Sequence, residues 1–166
     1  VKQGNGFLLM RGVADLDGEI NIEAGAREID ARFFAAVFNS SLETQGQLNF
    51  TAQITGKTAS PHTAMSLEIL NGSVAGAGFD KLYGLFILEK GSIQVNQLLL
   101  SKGPYRASAY GTVPLAALNP SGRRQATASD QMDLTFRLDQ ANLSILPVMT
   151  KEVEWASGET TGEIKV

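Results

Sequence analysis

The chain has 166 residues, 43 % of them hydrophobic, a net charge of −3 and no cysteine. That length suffices for one domain with a core of its own, and the cysteine count excludes disulfides, thiolate metal sites and cysteine nucleophiles. With 14 basic against 17 acidic residues there is no field for nucleic acid, Arg123-Arg124 being only a pair, and the single His62 excludes a multi-histidine metal centre.

Taken in chain order, the elements read as strands. Val1 to Gly6 lacks a signal-peptide layout, and no apolar run approaches the roughly 20 residues that span a bilayer. An anchor or signal in a parent protein is therefore expected outside this segment. Ile20 and Ile22 alternate with Glu19, Asn21 and Glu23. Asp30 to Phe38 then spaces its apolar residues helically, with Asp30 placed as an N-cap. Leu48, Phe50, Ala52 and Ile54 alternate with Asn49, Thr51 and Gln53; Met65, Leu67 and Ile69 follow, then Ile93 and Val95. Leu134, Phe136 and Leu138 close the series, and Asp139 to Leu146 predicts a second short helix stopped by Pro147. Gly56, Pro61, Gly72, Gly91, Gly103-Pro104, Pro120 and Gly122 punctuate the strands, an all-β rhythm. Arg123 to Gln131 is polar, lacks periodicity and reads as an exposed loop.

The pattern also recurs. Gly46 to Ile54 and Gly158 to Val166 are both glycine-led alternating strands, at a constant offset, 158 − 46 = 112 and 166 − 54 = 112. A weaker echo links Gly12 to Leu16 with Gly111 to Leu115, where 111 − 12 = 99. Residues 1–45 therefore read as the end of one repeat, 46–157 as a whole repeat and 158–166 as the start of the next. Repeats of strands build their core by stacking on neighbours, which predicts a single-domain segment of a longer, rod-like protein.

Catalytic and ligand motifs are scarce. Gly72 to Gly78 is glycine-rich, but no Gly-Lys-Ser/Thr follows and the third glycine of a dinucleotide fingerprint is missing; a strand turn is the simpler reading. His62 sits in a turn after Pro61, with no nucleophile elbow to serve. The acidic pairs Asp15/Asp17 and Glu152/Glu154 do not continue into a calcium loop and read as solvated strand or turn positions. The Asn-x-Ser/Thr triplets at Asn39, Asn49, Asn71 and Asn142 arise readily in polar β-sequences. Neither an enzyme nor a cofactor is expected.

What remains is the apolar set Leu48, Phe50, Ile54, Met65, Leu67, Ile69, Ile93, Val95, Leu134, Phe136 and Leu138. Two readings of it stand side by side. A closed structure buries it as a core. An incompletely closed sheet exposes it as a trough suited to acyl chains, since apolar area gains about 25 cal/mol per Å² on leaving water.

Several stretches, taken together, resemble the TamB branch of the AsmA-like superfamily. Gly46 to Ile54 followed by Gly56-Lys57-Thr58-Ala59-Ser60-Pro61 is similar to its repeat opening, a strand and then Gly-x-x-x-x-Pro. Ile69 to Val74 with Phe79 to Gly84, Gly91 to Leu98, Tyr105 to Leu115, and Leu143 to Pro147 ahead of Gly158 resemble the later steps in order. The loop at 121–131 is longer and more polar than that pattern. The resemblance implies an elongated twisted sheet curled into an open, taco-like β-groove with one or two short helices. It implies no catalysis, and phospholipid transport between the inner and outer membranes of diderm bacteria, with relatives in the chloroplast envelope. It further implies a parent protein in the periplasm anchored in the inner membrane by parts outside this segment, and outer-membrane protein or autotransporter assembly with a TamA-like partner of the Omp85 type. The alternative is a structural or adhesive β-solenoid with a sealed core.

Overall fold

The computed structural model describes residues 2–3, 6–16, 18–32, 44–74, 76–115, 131–142 and 159–165. Ten strands form one sheet in strict chain order: β1 (Lys2–Gln3), β2 (Gly6–Ala14), β3 (Glu19–Asp30), β4 (Thr44–Lys57), β5 (Ser60–Val74), β6 (Ala77–Glu89), β7 (Ser92–Lys102), β8 (Tyr105–Pro114), β9 (Asp133–Asn142) and β10 (Glu159–Lys165). Every neighbouring pair is antiparallel. The first and last strands do not meet, so the sheet curls but stays open. At roughly 4.8 Å per strand, the nine intervals span about 43 Å across the strands.

Short turns explain the order. Thr58-Ala59 joins β4 to β5, and Lys90-Gly91 joins β6 to β7. Connections this short permit only antiparallel neighbours. Gly76, between β5 and β6, lies in a turn, within the glycine-rich stretch that predicts one.

Bulges interrupt the ladder between Ala26 and Ile29 on β3, Leu70 and Ser73 on β5, and Val95 and Leu98 on β7. An extra residue on one strand bends it and deepens the twist, which is how a flat ladder becomes a curled one. Glu28, inside the first of these, has φ 56°.

One expected helix is corrected. Asp139 to Asn142 continues β9 and pairs with β10, Asn142 opposite Glu159 and Ala141 opposite Thr160. Pairing with a strand about twenty residues on overrides a local pattern only two turns long. Residues 143–146 of that expected helix lie outside the described residues. The other expected helix is not seen as an element among the described residues: only Ala31 and Arg32 have a helical backbone, and the Arg32 N–H donates to Asp30 Oδ1 at 2.9 Å. Residues 33–38 lie outside the described part, as does the polar loop at 121–130.

The two sequence echoes have a geometric counterpart. β2 shifted by 99 covers 105–113, and β8 is Tyr105–Pro114; residues 21–30 of β3 shifted by 112 become 133–142, the span of β9. Gly12 and Gly111 have φ 149° and 141°. A Cβ on Gly12 would strike the Asn21 carbonyl oxygen and the Ile22 Cα; one on Gly111 would strike the Asp133 carbonyl oxygen and the Leu134 Cα. Those neighbours are themselves 112 apart. The difference between the offsets, 112 − 99 = 13, falls in the connection between β8 and β9, longer than that between β2 and β3.

Gly111→Ala and Gly12→Ala should each destabilise the sheet by about 2 kcal/mol or more, through a backbone clash and a disfavoured φ. Gly162, with open space around it, is the control; Gly162→Ala should stay within about 0.5 kcal/mol. Urea unfolding of the three variants measures both.

Candidate functional site

Residues opposite each other in a ladder share a face of the sheet, so the register sorts every side chain. Four rows run across the strands on one face. The first is Ile22–Ile54–Thr63–Leu88–Ile93–Val113. The second is Met10–Ala24–Ala52–Met65–Phe86–Val95–Gly111–Leu134. The third is Leu8–Ala26–Phe50–Leu67–Gly84–Leu98–Ala109–Phe136–Ile164. The fourth is Ile29–Leu48–Ile69–Leu82–Leu100–Ala107–Leu138–Gly162. Thr63 carries the one polar side chain among them.

All eleven residues of the expected apolar set fall in these rows. They do not share one environment. Leu48 is 0 % exposed, Leu138 5 %, and Ile69 and Val95 8 % each, so these form walls and core. Phe50, Ile54, Met65, Leu67, Ile93, Leu134 and Phe136 are half-exposed. A packed cluster joins Leu48 and Ile69 to Ala26, Ile29, Ala31 and Phe79, with Leu8, Phe50, Leu67, Val74, Leu82 and Leu100 against it.

Sequence alternation misses part of the face. Leu98 and Leu100 belong to it, but the bulge after Val95 shifts their parity. Leu82, Phe86 and Leu88 belong to it too, yet Leu82 to Leu88 is apolar at every position except Gly84, which hides a period of two. The signal for these was the run itself, since a strand apolar on both faces is covered on both.

The opposite face carries most of the polar side chains, with Tyr83, Leu85, Ile87 and Leu99 among them, and is laced by direct cross-strand pairs. Arg11 Nη2 lies 2.6 Å from Glu23 Oε2, and Arg137 Nε 3.0 Å from Glu163 Oε2. The Thr51 and Ser66 hydroxyls are 2.7 Å apart. Asn49 accepts the Glu28 N–H at 2.9 Å and donates to Glu68 at 3.3 Å, so its amide is already committed at both ends. Lys81 pairs with Glu68. The Lys81 hydrogen bond, more than any other contact, holds the Glu68 carboxyl below the usual carboxylate range, and Arg32 does the same for Asp30. A cleft of about 630 Å³ lies on this face between Leu9 and Asn96, where the charged groups Arg11 and Glu23 are spent on each other.

His62 Nδ1 sits 3.2 Å from Glu89 Oε2, half-exposed, at the end of β5. Among the described residues no group of three or more His, Asp or Glu is gathered as a metal would require. Asp15 is exposed beside the turn into β3; Asp17, Glu152 and Glu154 lie outside the described residues. No helix among the described residues is long and apolar enough to cross a membrane. No protein-family model, curated protein or solved structure matches the chain.

The depressed Glu68 fixes the sign of a pH effect. Its stabilisation is present at neutral pH and fades as acid takes the solution through its lowered folded value. Glu68→Gln should therefore lower stability at about pH 7 by less than ~1 kcal/mol, the pair being partly exposed. The gap between variant and parent should narrow toward about pH 3, as acid protonates the unfolded carboxyl first and the lowered folded one after it. Urea midpoints at the two pH values test this.

Proposed function

We propose that the apolar face is a groove for phospholipid acyl chains, in a non-enzymatic segment of an envelope-spanning bridge of the TamB kind. The observation that carries this reading is the continuity of the four apolar rows across six to nine strands, interrupted by a single hydroxyl. An acyl chain lying along such a row meets at most the Thr63 hydroxyl, and needs no polar partner. A sheet with one long apolar face must cover it, and an open sheet leaves room for a ligand to do so. The matching strands and the matching glycines at 12 and 111 support the repeat reading, in which 46–157 is one unit of a longer array. On this reading the parent protein works in the periplasm, or its chloroplast counterpart, between two membranes. A TamA-like outer-membrane partner belongs to the same proposal and rests on the resemblance alone.

The second reading, a structural or adhesive solenoid with a sealed core, draws on the burial of Leu48, Ile69, Val95 and Leu138. The two differ in what a buried charge does. In a sealed core an unpaired charge costs several kcal/mol and unfolds the domain. In a groove it reaches water at the mouth and instead bars the path of an acyl chain.

Leu67→Asp and Phe136→Arg, both at half-exposed positions, should fold with a loss of about 1–2 kcal/mol and abolish lipid transport. Leu48→Asp, at a fully buried position, should unfold. Thermal unfolding and an envelope-integrity assay read the two effects separately. Collapse of all three variants favours the sealed solenoid. A photo-crosslinker at Phe50 or Phe136 should capture phospholipid in membranes, and capture of protein alone would remove the case for a lipid groove.

A further inference from the structure

The register repeats along with the strands. Every β9–β10 pair is a β3–β4 pair moved on by 112. Asp30 opposite Gln47 becomes Asn142 opposite Glu159, Ala26 opposite Phe50 becomes Leu138 opposite Gly162, and Glu23 opposite Gln53 becomes Thr135 opposite Lys165. The bulge between Ala26 and Ile29 moves with them, to Leu138 and Ala141. Between β2 and β3 the pairs from Phe7–Arg27 to Val13–Asn21 recur as Arg106–Asp139 to Thr112–Asp133. Between β1 and β2, Lys2–Phe7 and Gln3–Gly6 recur as Ser101–Arg106 and Lys102–Tyr105. The side chains are not what is copied, since Leu9 becomes Ser108 and Arg11 becomes Tyr110. The backbone ladder is.

The repeating unit is therefore six strands, with β7 to β10 in the places of β1 to β4. The ten strands fill four of these places twice, and those of β5 and β6 once. β10 stands in the place of β4, whose other neighbour is β5. Among the described residues no strand lies beyond β10, so its outer edge presents a row of backbone N–H and C=O groups to any strand that can pair with them. Two side-chain positions at that edge are uncovered. Ile164, in the place of Ala52, is 41 % exposed, and Gly162, in the place of Phe50, has nothing within 4 Å of where a Cβ would sit. In the inner ladder Ala52 and Phe50 stand opposite Met65 and Leu67 of β5.

We propose that the outer edge of β10 is an acceptor for a strand of the β5 kind with its β6 behind it, added antiparallel in the β4–β5 register. The assignment rests on the repeat reading above and names what covers this edge. Backbone pairing attaches such a strand, and the alternation of its side chains selects it. Its apolar residues stand opposite Gly162, where there is room for a large one, and opposite Ile164, which they take out of water. A second copy of the chain does not fit the same place. Its first strand, β1, holds the place of β7, and in the sheet β4 and β7 are separated by β5 and β6. Copies set end to end would lack that hairpin.

The test extends the whole chain after Val166 with a second copy of residues 55–90, which continues the offset because Val166 matches Ile54. The chain has no cysteine, so a disulfide forms only between cysteines placed for the purpose. Gly162→Cys, combined with Leu67→Cys in the added copy, should link under mild oxidation, since direct partners in an antiparallel ladder lie at disulfide distance. Glu68→Cys in the added copy, one residue on and facing the other way, should link about tenfold more slowly, with circular dichroism confirming that both variants are folded. Equal linking at the two positions would mark a free tail, and no link at either an edge that takes no such strand; each overturns the proposal. Disulfide dimers of the unextended Gly162→Cys chain that persist in the extended one would make a second copy the occupant, and overturn it too. No lipid enters these outcomes, so the groove stands or falls separately, on its own crosslinker.

Discussion

In an antiparallel ladder one pairing decides all the others. Once Leu48 lies opposite Ile69, Phe50 must face Leu67 and Ala52 must face Met65. A slip of one residue between β4 and β5 would turn the apolar side chains of one strand to the polar side and leave them among hydroxyls and carboxylates. The polar face guards against that slip. The Thr51–Ser66, Asn49–Glu68, Arg11–Glu23 and Arg137–Glu163 contacts are each made between direct register partners. Singly, such exposed pairs contribute little. Together they make the observed register the one in which both faces are satisfied at once.

The same ladder must also bend. Bulges on β3, β5 and β7 release the strain that a straight sheet would accumulate as it curls. They do so without mixing the faces. After the bulge at Val95, Leu98 and Leu100 return to the apolar side, and after the one at Ala26, Ile29 does the same. Curvature and sidedness are therefore coupled: each bulge shifts the parity of the residues beyond it, and the apolar positions that follow are displaced by one residue to match.

Much of this was legible in the chain. Period-two alternation located β3, β4, β5, β7 and β9, and the eleven apolar residues it picked out do share a face. Asp30 was legible as an acceptor for a backbone N–H just after it, and the Arg32 N–H donates to it. What was hidden had physical causes. Leu82 to Leu88 concealed its alternation because β6 is apolar on both sides. Asp139 to Asn142 imitated a helix because four residues are too few to reveal a period against a partner strand more than a dozen residues on. Burial was hidden as well. Nothing in the residue types says that Leu48 is sealed while Phe50, two positions along the same strand, stays half-open, since that depends on Ala31 and Phe79 arriving from other parts of the fold.

The strict chain order of the strands also governs how the sheet can be made. Each strand's partners are the ones immediately before and after it. No strand has to wait for a segment synthesised much later, and the loop that must close before each pairing is short where the turns are two residues long, which keeps its entropic cost small. The sheet can therefore grow at its edge, one hairpin after another, as a chain threads out of a narrow pore in an extended form. Run backwards, the same locality makes it a zipper. A pull on the two ends would peel strands from the edges one at a time, and the interior ladder would not have to yield all at once.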